Sequence, residues 1–394
     1  MRVAVSVLGR FHAFDLAREL HRAGCLEQCL TSYPRFAAAR FGVPRERVRS
    51  LLPFEGLTRA WLRSPKPIRA LFDGRLQGLY ARSVGHVLPR HIDLLTSFSG
   101  STLEAIEPAR RRGARVVIER GSAHIETQSE LLTEAYAELG LRPRLPHPRV
   151  VDRELAEYAL ADAIAVPSRF AARSFAERGF DPDRILVAPY GVDLSAFSPA
   201  ERPAPGRRVL FVGQASVQKG THHLVRAFEA AAPADAELWL VGGLEPELEP
   251  HVLGRPRVRW LGPMDQSALP DIYRQCHVFC LPSIQDGFGM VLTQAAASGL
   301  PIVASTHSGG PEVIDPDRTG ALIEPGDVDG LAAALSVYLE QPDLAREHGA
   351  AAALEARERW SWSRYGRDVH AAYTRLLGPN ATIQAPSVAL RRSA

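Results

Sequence analysis

Two stretches of this 394-residue chain open alike: a continuous apolar strand runs straight into glycine, Arg2 to Leu8 before Gly9 and Arg208 to Val212 before Gly213. Later in each half a helix end leads into a strand closing on Pro-Ser, Ala161 to Pro167-Ser168 and Cys276 to Pro282-Ser283. Further strands, in Val116-Val117-Ile118, Glu237 to Val241 and Leu300 to Ala304, are unbroken apolar runs rather than alternating ones. An unbroken run has no face to give to water, so it belongs in a parallel sheet covered by helices on both sides. Helical patterns of roughly ten to fifteen residues between the strands complete a βαβ rhythm. The fold class is therefore α/β, with two doubly wound parallel-sheet domains and ligand sites beyond the C-terminal strand ends.

The domain boundary falls in a proline-rich linker, 198–206. A first domain over 1–197 and a second over 207–358 follow, and a last helix over 359–377 is placed to cross back to the first domain. Helices are expected over 327–341, with Asp327 as N-cap, and over 343–358. Residues 378–394 hold Pro, Ser and Asn without periodicity, the composition of a disordered tail.

This length gives each domain a full core, and 46% hydrophobic with 23% charged residues is the composition of a soluble globular protein. No stretch approaches a membrane-spanning run, and the chain opens on a strand rather than a signal peptide, so a cytoplasmic location is expected. Four cysteines, Cys25, Cys29, Cys276 and Cys280, are too few for a disulfide framework and lack a complementing histidine pair, so they read as buried thiols. The net charge of +3 is uneven, at +7 over residues 1–200 and −4 over 201–394. Residues 30–90 carry 12 basic and 3 acidic groups, interleaved with Trp61, Leu62, Ile68, Leu71, Phe72, Leu76, Leu79 and Tyr80. Helices packed on the first domain with arginines outward are the favoured reading of that patch. The other reading is peripheral contact with an anionic membrane at its inner face. No aromatic stacking motif or recognition element accompanies the charge, which argues against nucleic acid.

Two glycine-flanked segments carry the chemistry. Asp286-Gly287-Phe288-Gly289 lies between a strand end and the helix leading through Gln294. Free N–H groups and the positive dipole end at such a helix start can hold an anion or sugar hydroxyls. Asp286 and Gln294 lie eight residues apart, roughly 12 Å along the helix axis and about 80° around it, matching an elongated ligand. The plainer alternative makes Asp286 an N-cap and Gln294 a solvated side chain. The second segment runs from Gly213 through Gln214 to Lys219-Gly220. Of 47 basic residues 45 are arginine, leaving Lys66 and Lys219, and lysine retained against that bias marks a place arginine does not fill. A lysine in such a loop can reach a diphosphate as a compact point charge, or it can be a surface lysine.

In order and domain these motifs resemble those of the retaining GT-B glycosyltransferases of the family-four type, a resemblance covering residues 1 to about 377 and including Gly191-Val-Asp193 and Gly309-Gly-Pro-Glu312. It implies two Rossmann-like domains facing across a cleft and a nucleoside-diphosphate-sugar donor. It places Lys219 and the loop Gly213-Gln214 on the donor phosphates, the amides of Gly287, Phe288 and Gly289 on sugar and diphosphate, and Gln294 on the ribose. Gly9 would admit the pyrophosphate and face the acceptor. His124 and Asp286 would stand at the reacting centre, and the stretch holding Gly262 and Met264 at the donor base. The resemblance has departures: Asp286 and Gln294 stand where the family carries two glutamates, and Gln214 where it usually has arginine.

The implied reaction is transfer of the sugar to an acceptor hydroxyl with retention and with no metal or other cofactor, the acceptor being a glycan, a lipid-linked sugar or a small molecule. Asp-Pro-Asp at 181–183 and 315–317 and Asp-Val-Asp at 327–329 read as turns or caps rather than metal ligands. A nucleotide-sugar epimerase on the same scaffold and a non-catalytic nucleotide-sugar-binding protein stay open beside it. His124, taken alone, reads equally as a histidine satisfied by local backbone.

Overall fold

The computed structural model describes residues 1–65, 68, 72–202 and 204–378. Lys66, Leu71 and, but for Gly378, the expected tail lie outside them. The first sheet comprises β1 (Val3–Val7), β2 (Leu26–Thr31), β3 (Val48–Ser50), β4 (Leu94–Phe98), β5 (Arg115–Glu119), β6 (Ala163–Val166) and β7 (Ile185–Val187). All pairings are parallel, and the spatial order is β3-β2-β1-β4-β5-β6-β7. The second comprises β8 (Arg207–Val212), β9 (Ala236–Val241), β10 (Val258–Gly262), β11 (Val278–Leu281), β12 (Ile302–Ser305) and β13 (Gly320–Ile323), again parallel, in the order β10-β9-β8-β11-β12-β13. Every residue of β1, β4, β6, β11 and β12 is buried, as unbroken apolar runs require.

Strand order reverses between β1 and β4 in the first sheet and between β8 and β11 in the second. Crevices open at such points because the neighbouring crossover helices lie on opposite faces. The loops after β8 and β11 are the two segments singled out in the sequence.

Helix ends follow local chemistry. The Asp327 side chain accepts from Gly330 N at 2.8 Å and caps Val328–Glu340, and Ser361 caps the last helix, Trp362–Leu377. Asp181 caps its own short turn, and Asp315 pairs with Arg318 at 2.9 Å. All four cysteines are free and buried, and burial alone pushes the Cys29 thiol up to about 12.

The last helix packs on the first domain. The Tyr373 hydroxyl donates to Thr96 Oγ1 at 3.0 Å and meets Glu119 Oε1 at 3.2 Å, and an added Cβ at Gly366 would lie 2.5 Å from Glu19 Cβ. Just before it, Val192 N donates to Trp360 O at 2.7 Å. The chain thus passes between the domains twice, and one buried apolar cluster runs through both.

The basic segment follows the favoured packing reading in part. Helix Arg75–Val87 does pack, burying Leu76, Tyr80 and Val84. Helix Leu52–Arg63 buries none of its residues and leaves Leu52, Leu57 and Leu62 about half exposed alongside its arginines. Its contact with the domain runs through Phe54, which lies edge-on to the Tyr80 ring at 5.5 Å.

Candidate active site

The loop after β8 ends at Gly220, where a left-handed φ of 63° and the neighbouring carbonyl both demand glycine: an added Cβ would lie 2.0 Å from Pro282 O. This contact clamps the loop after β8 onto the loop after β11. Ile284 N donates to Gln218 O at 2.9 Å, and Gln218 Nε2 donates to Gln285 Oε1 at 3.0 Å. So held, the Lys219 ammonium donates to Asp286 Oδ2 in a direct ion pair, with side chains only 21% and 14% exposed. The retained lysine faces inward at the switch point.

Asp286 N donates to His307 O at 2.8 Å, and Gly309 N donates to Phe288 O at 2.7 Å. Among the described residues, the N–H groups of Gly287, Phe288 and Gly289 donate no hydrogen bond. Gly289 adopts a left-handed φ of 78° and precedes helix Met290–Ala297, so these donors converge where the helix begins. An ammonium beside free amides at a helix start is an anion-binding arrangement.

The first domain closes over this turn. An added Cβ at Gly287 would stand 1.9 Å from Gly121 O, Gln285 Nε2 donates to Ser122 Oγ, and Ser168 Oγ donates to Gly287 O. At the rim, Arg169 pairs with Glu312 at 3.0 Å.

The remaining sequence-predicted residues are spread over the two domains. On the second domain, Gly213, Gln214 and Gly262 line the same strand-end edge: Gly242 N donates to Gly262 O at 2.9 Å, and exposed Gln214 lies against Gly243. Met264 packs against the core just beyond, and Trp260 donates from Nε1 to Gly242 O at 2.8 Å. Gln294 is not set apart from Asp286 along one helix. Asp286 precedes the helix by four residues, and buried Gln294 accepts the Tyr273 hydroxyl at 3.2 Å on Oε1. It is not a solvated side chain, because it is buried and its amide oxygen takes the nearby hydroxyl.

In the first domain, Gly9 turns at a φ of 106° and donates to Ser32 Oγ at 3.1 Å, while Arg10 lies over the Phe41 ring rather than reaching the phosphate loop. His124 caps helix Ile125–Glu138, its Nδ1 accepting from Glu126 N at 3.3 Å, between the Tyr158 and Phe175 rings. Burial first, then Arg178 and Arg120, press its pKa down to about 4, so the ring is neutral near pH 7. The local-backbone reading describes this ring, although its neighbours Gly121 and Ser122 touch the donor-side turn.

Comparison with known proteins places this architecture. Residues 206–341 match the family model described as glycosyl transferases group 1. The MMP alpha-(1->4)-mannosyltransferase of Mycolicibacterium hassiacum is 31% identical over 229 residues, covering 55% of this chain and 55% of that protein. The D-inositol 3-phosphate glycosyltransferase of Geodermatophilus obscurus is 30% identical over 272 residues, 60% of this chain and 57% of the relative. The family-model match lies in the second domain, and together these likenesses support a group 1 GT-B glycosyltransferase. The chain spans little more than half the length of these curated relatives. Among solved structures, sucrose-phosphate synthase from Thermosynechococcus elongatus aligns over 95% of this chain and 99% of its own with a TM-score of 0.66 at 20% identity. Anabaena HepE in complex with UDP-glucose aligns over 95% and 100% with a TM-score of 0.67 at 16% identity. The GT-B fold is shared.

Ser122, Gln285, Ser168 and Phe11 were not picked out as functional from the sequence. The first three lie next to residues that were singled out, but polar side chains in loops carry no sign of the partner they will meet. Phe11 is 69% exposed with a φ of 42°, stacked on Phe98 at 5.7 Å, and follows the Gly9 turn that was the available signal. A large apolar side chain held in that strained region beside a cleft is a functional pointer.

Proposed function

We propose that this protein transfers a glycosyl group from a nucleoside-diphosphate sugar to an acceptor hydroxyl, with retention at the anomeric carbon and without a metal ion in the reaction. The observation that carries this reading is the Lys219 ammonium, held against Asp286 beside the free amides of Gly287–Gly289. Bond cleavage puts growing negative charge on the departing diphosphate, and fixed donors in a water-poor site neutralise that charge without reorganising. Lys219 and those amides bind the diphosphate, Asp286 orients both the amine and the sugar, and the loop of Gly213 and Gln214 approaches the phosphates. Neutral His124 acts as a hydrogen-bonding group rather than a cation. HepE in complex with UDP-glucose supports a nucleotide-sugar donor. Retention rests on the order of motifs shared with the family-four enzymes.

The acceptor enters from the Gly9 side, where Phe11 offers a flat face to a sugar ring. The exposed leucines and arginines of helix Leu52–Arg63 support a lipid-linked acceptor reached by peripheral contact with an anionic membrane. Among the described residues no helix is long and apolar enough to cross a membrane.

A thermal-shift screen against UDP-, GDP-, ADP- and TDP-sugars tests the site, because stabilisation follows occupancy. One donor class should raise Tm, and Lys219→Ala should abolish that rise and lower kcat/KM by roughly 10²–10³-fold, the cost of losing one charge-stabilising donor. Turnover should survive a chelator. Loss of transfer to the chelator with recovery in Mg²⁺ or Mn²⁺ would remove the metal-free reading, and full donor response in Lys219→Ala would remove the site. Gln214 and the occupied oxygen of Gln294 favour a second reading, a binding protein without turnover, which tight donor binding without hydrolysis or transfer would establish.

A further inference from the structure

His222 and His223 sit in the first turn of helix Thr221–Ala231, directly after the Lys219-Gly220 loop, and both are buried. Their rings lie 3.9 Å apart between centroids. Across the domain boundary, Glu138 ends helix Ile125–Glu138, and its Oε2 stands 3.5 Å from His223 Nε2. One ligand atom from each of the three residues lies within 4.8 Å of the others. Buried ring nitrogens are ordinarily satisfied, yet His222 Nδ1, His222 Nε2 and His223 Nδ1 have no hydrogen-bond partner.

We propose that His222, His223 and Glu138 form a binding site for a borderline transition-metal cation of the Zn²⁺ class, bridging the two domains beside the donor loop. Two imidazoles with one carboxylate are a ligand set that zinc accepts, with a further position left for water. Bonds of about 2.0–2.1 Å at a tetrahedral angle put two ligand atoms roughly 3.4 Å apart, close to the His223–Glu138 separation. Nitrogen ligands select against Mg²⁺ and Ca²⁺, which take oxygen. The carbonyl end of the helix that Glu138 closes adds favourable partial charge. A cation held here ties the helix that starts at His124 to the helix that follows Lys219, so opening the cleft would break a metal bond. This site takes no part in the glycosyl-transfer reading, and its test does not depend on turnover.

The test titrates chelator-treated full-length protein with Zn²⁺ by calorimetry and with Co²⁺ by visible absorption, for the wild type, Glu138→Gln and His223→Gln. One cation per chain is expected, with the intense bands of low-coordinate Co²⁺ and a Zn²⁺-dependent rise in Tm. Glu138 is 59% exposed, so Glu138→Gln should melt like the wild type without metal. It should nevertheless bind roughly 10–100-fold more weakly, as lost metal-site partners generally do. His223→Gln should lose binding altogether. Absence of binding to the wild type, or unchanged affinity in either variant, overturns the proposal.

Discussion

Among single residues, His124 gives the clearest pH signature. Its ordinary value is 6.5 and its folded value about 4, because burial and the nearby Arg178 and Arg120 disfavour the imidazolium. Between those values the unfolded chain takes up a proton that the folded chain refuses, so stability falls as pH drops from about 6.5 towards 4. His222, down to about 3 mainly by burial, adds to the same trend. His124→Asn keeps an acceptor at the N-cap and removes the titration. Denaturant unfolding at pH 7, 5.5 and 4.5 should show a shallower loss of stability in the variant. Parallel curves for the two proteins would show that His124 is protonated alike in both states.

At the scale of elements, the strand-end loops decide the site, and Gly287 is their tightest point. No Cβ fits beneath Gly121 O, so Gly287→Ala must push the first-domain loop off the turn. A displacement of about 1 Å at a reacting centre costs on the order of 10²-fold in rate. The fold should survive, since the substitution creates no core cavity, with stability lowered by roughly 0.5–3 kcal/mol. Steady-state kinetics beside thermal unfolding separates the two effects, and a variant with wild-type turnover would show that this domain contact is not the working one.

At the scale of the whole molecule, helix Leu52–Arg63 presents Leu52, Leu57 and Leu62 about half exposed beside its arginines. On the peripheral-membrane reading proposed above, Leu57 and Leu62 would reach a bilayer interface and the arginines of the helix would meet anionic headgroups. The protein should co-sediment with vesicles containing anionic lipid, less so at high salt, and poorly with neutral vesicles. Leu57→Ser combined with Leu62→Ser should weaken that binding several-fold while leaving stability nearly unchanged, since neither side chain is buried. Equal sedimentation of wild type and double variant would exclude this face.

The α/β class, the parallel sheets and the two glycine loops were legible in the sequence, because unbroken apolar runs and the φ preferences of glycine are local properties. The Asp327 cap was legible for the same reason. The meeting of Lys219 with Asp286, 67 residues apart, was legible only as two separate motifs, since their contact depends on β8 and β11 being neighbours. The placing of Asp286 on the helix of Gln294 was misjudged, because spacing along a chain does not say where a helix starts. Ser122 against Gln285, and Glu138 against His223, are pairings across the domain boundary. No local pattern encodes them. They exist because two folded bodies were brought together, and a contact between bodies is fixed by their packing rather than by the order of residues in either.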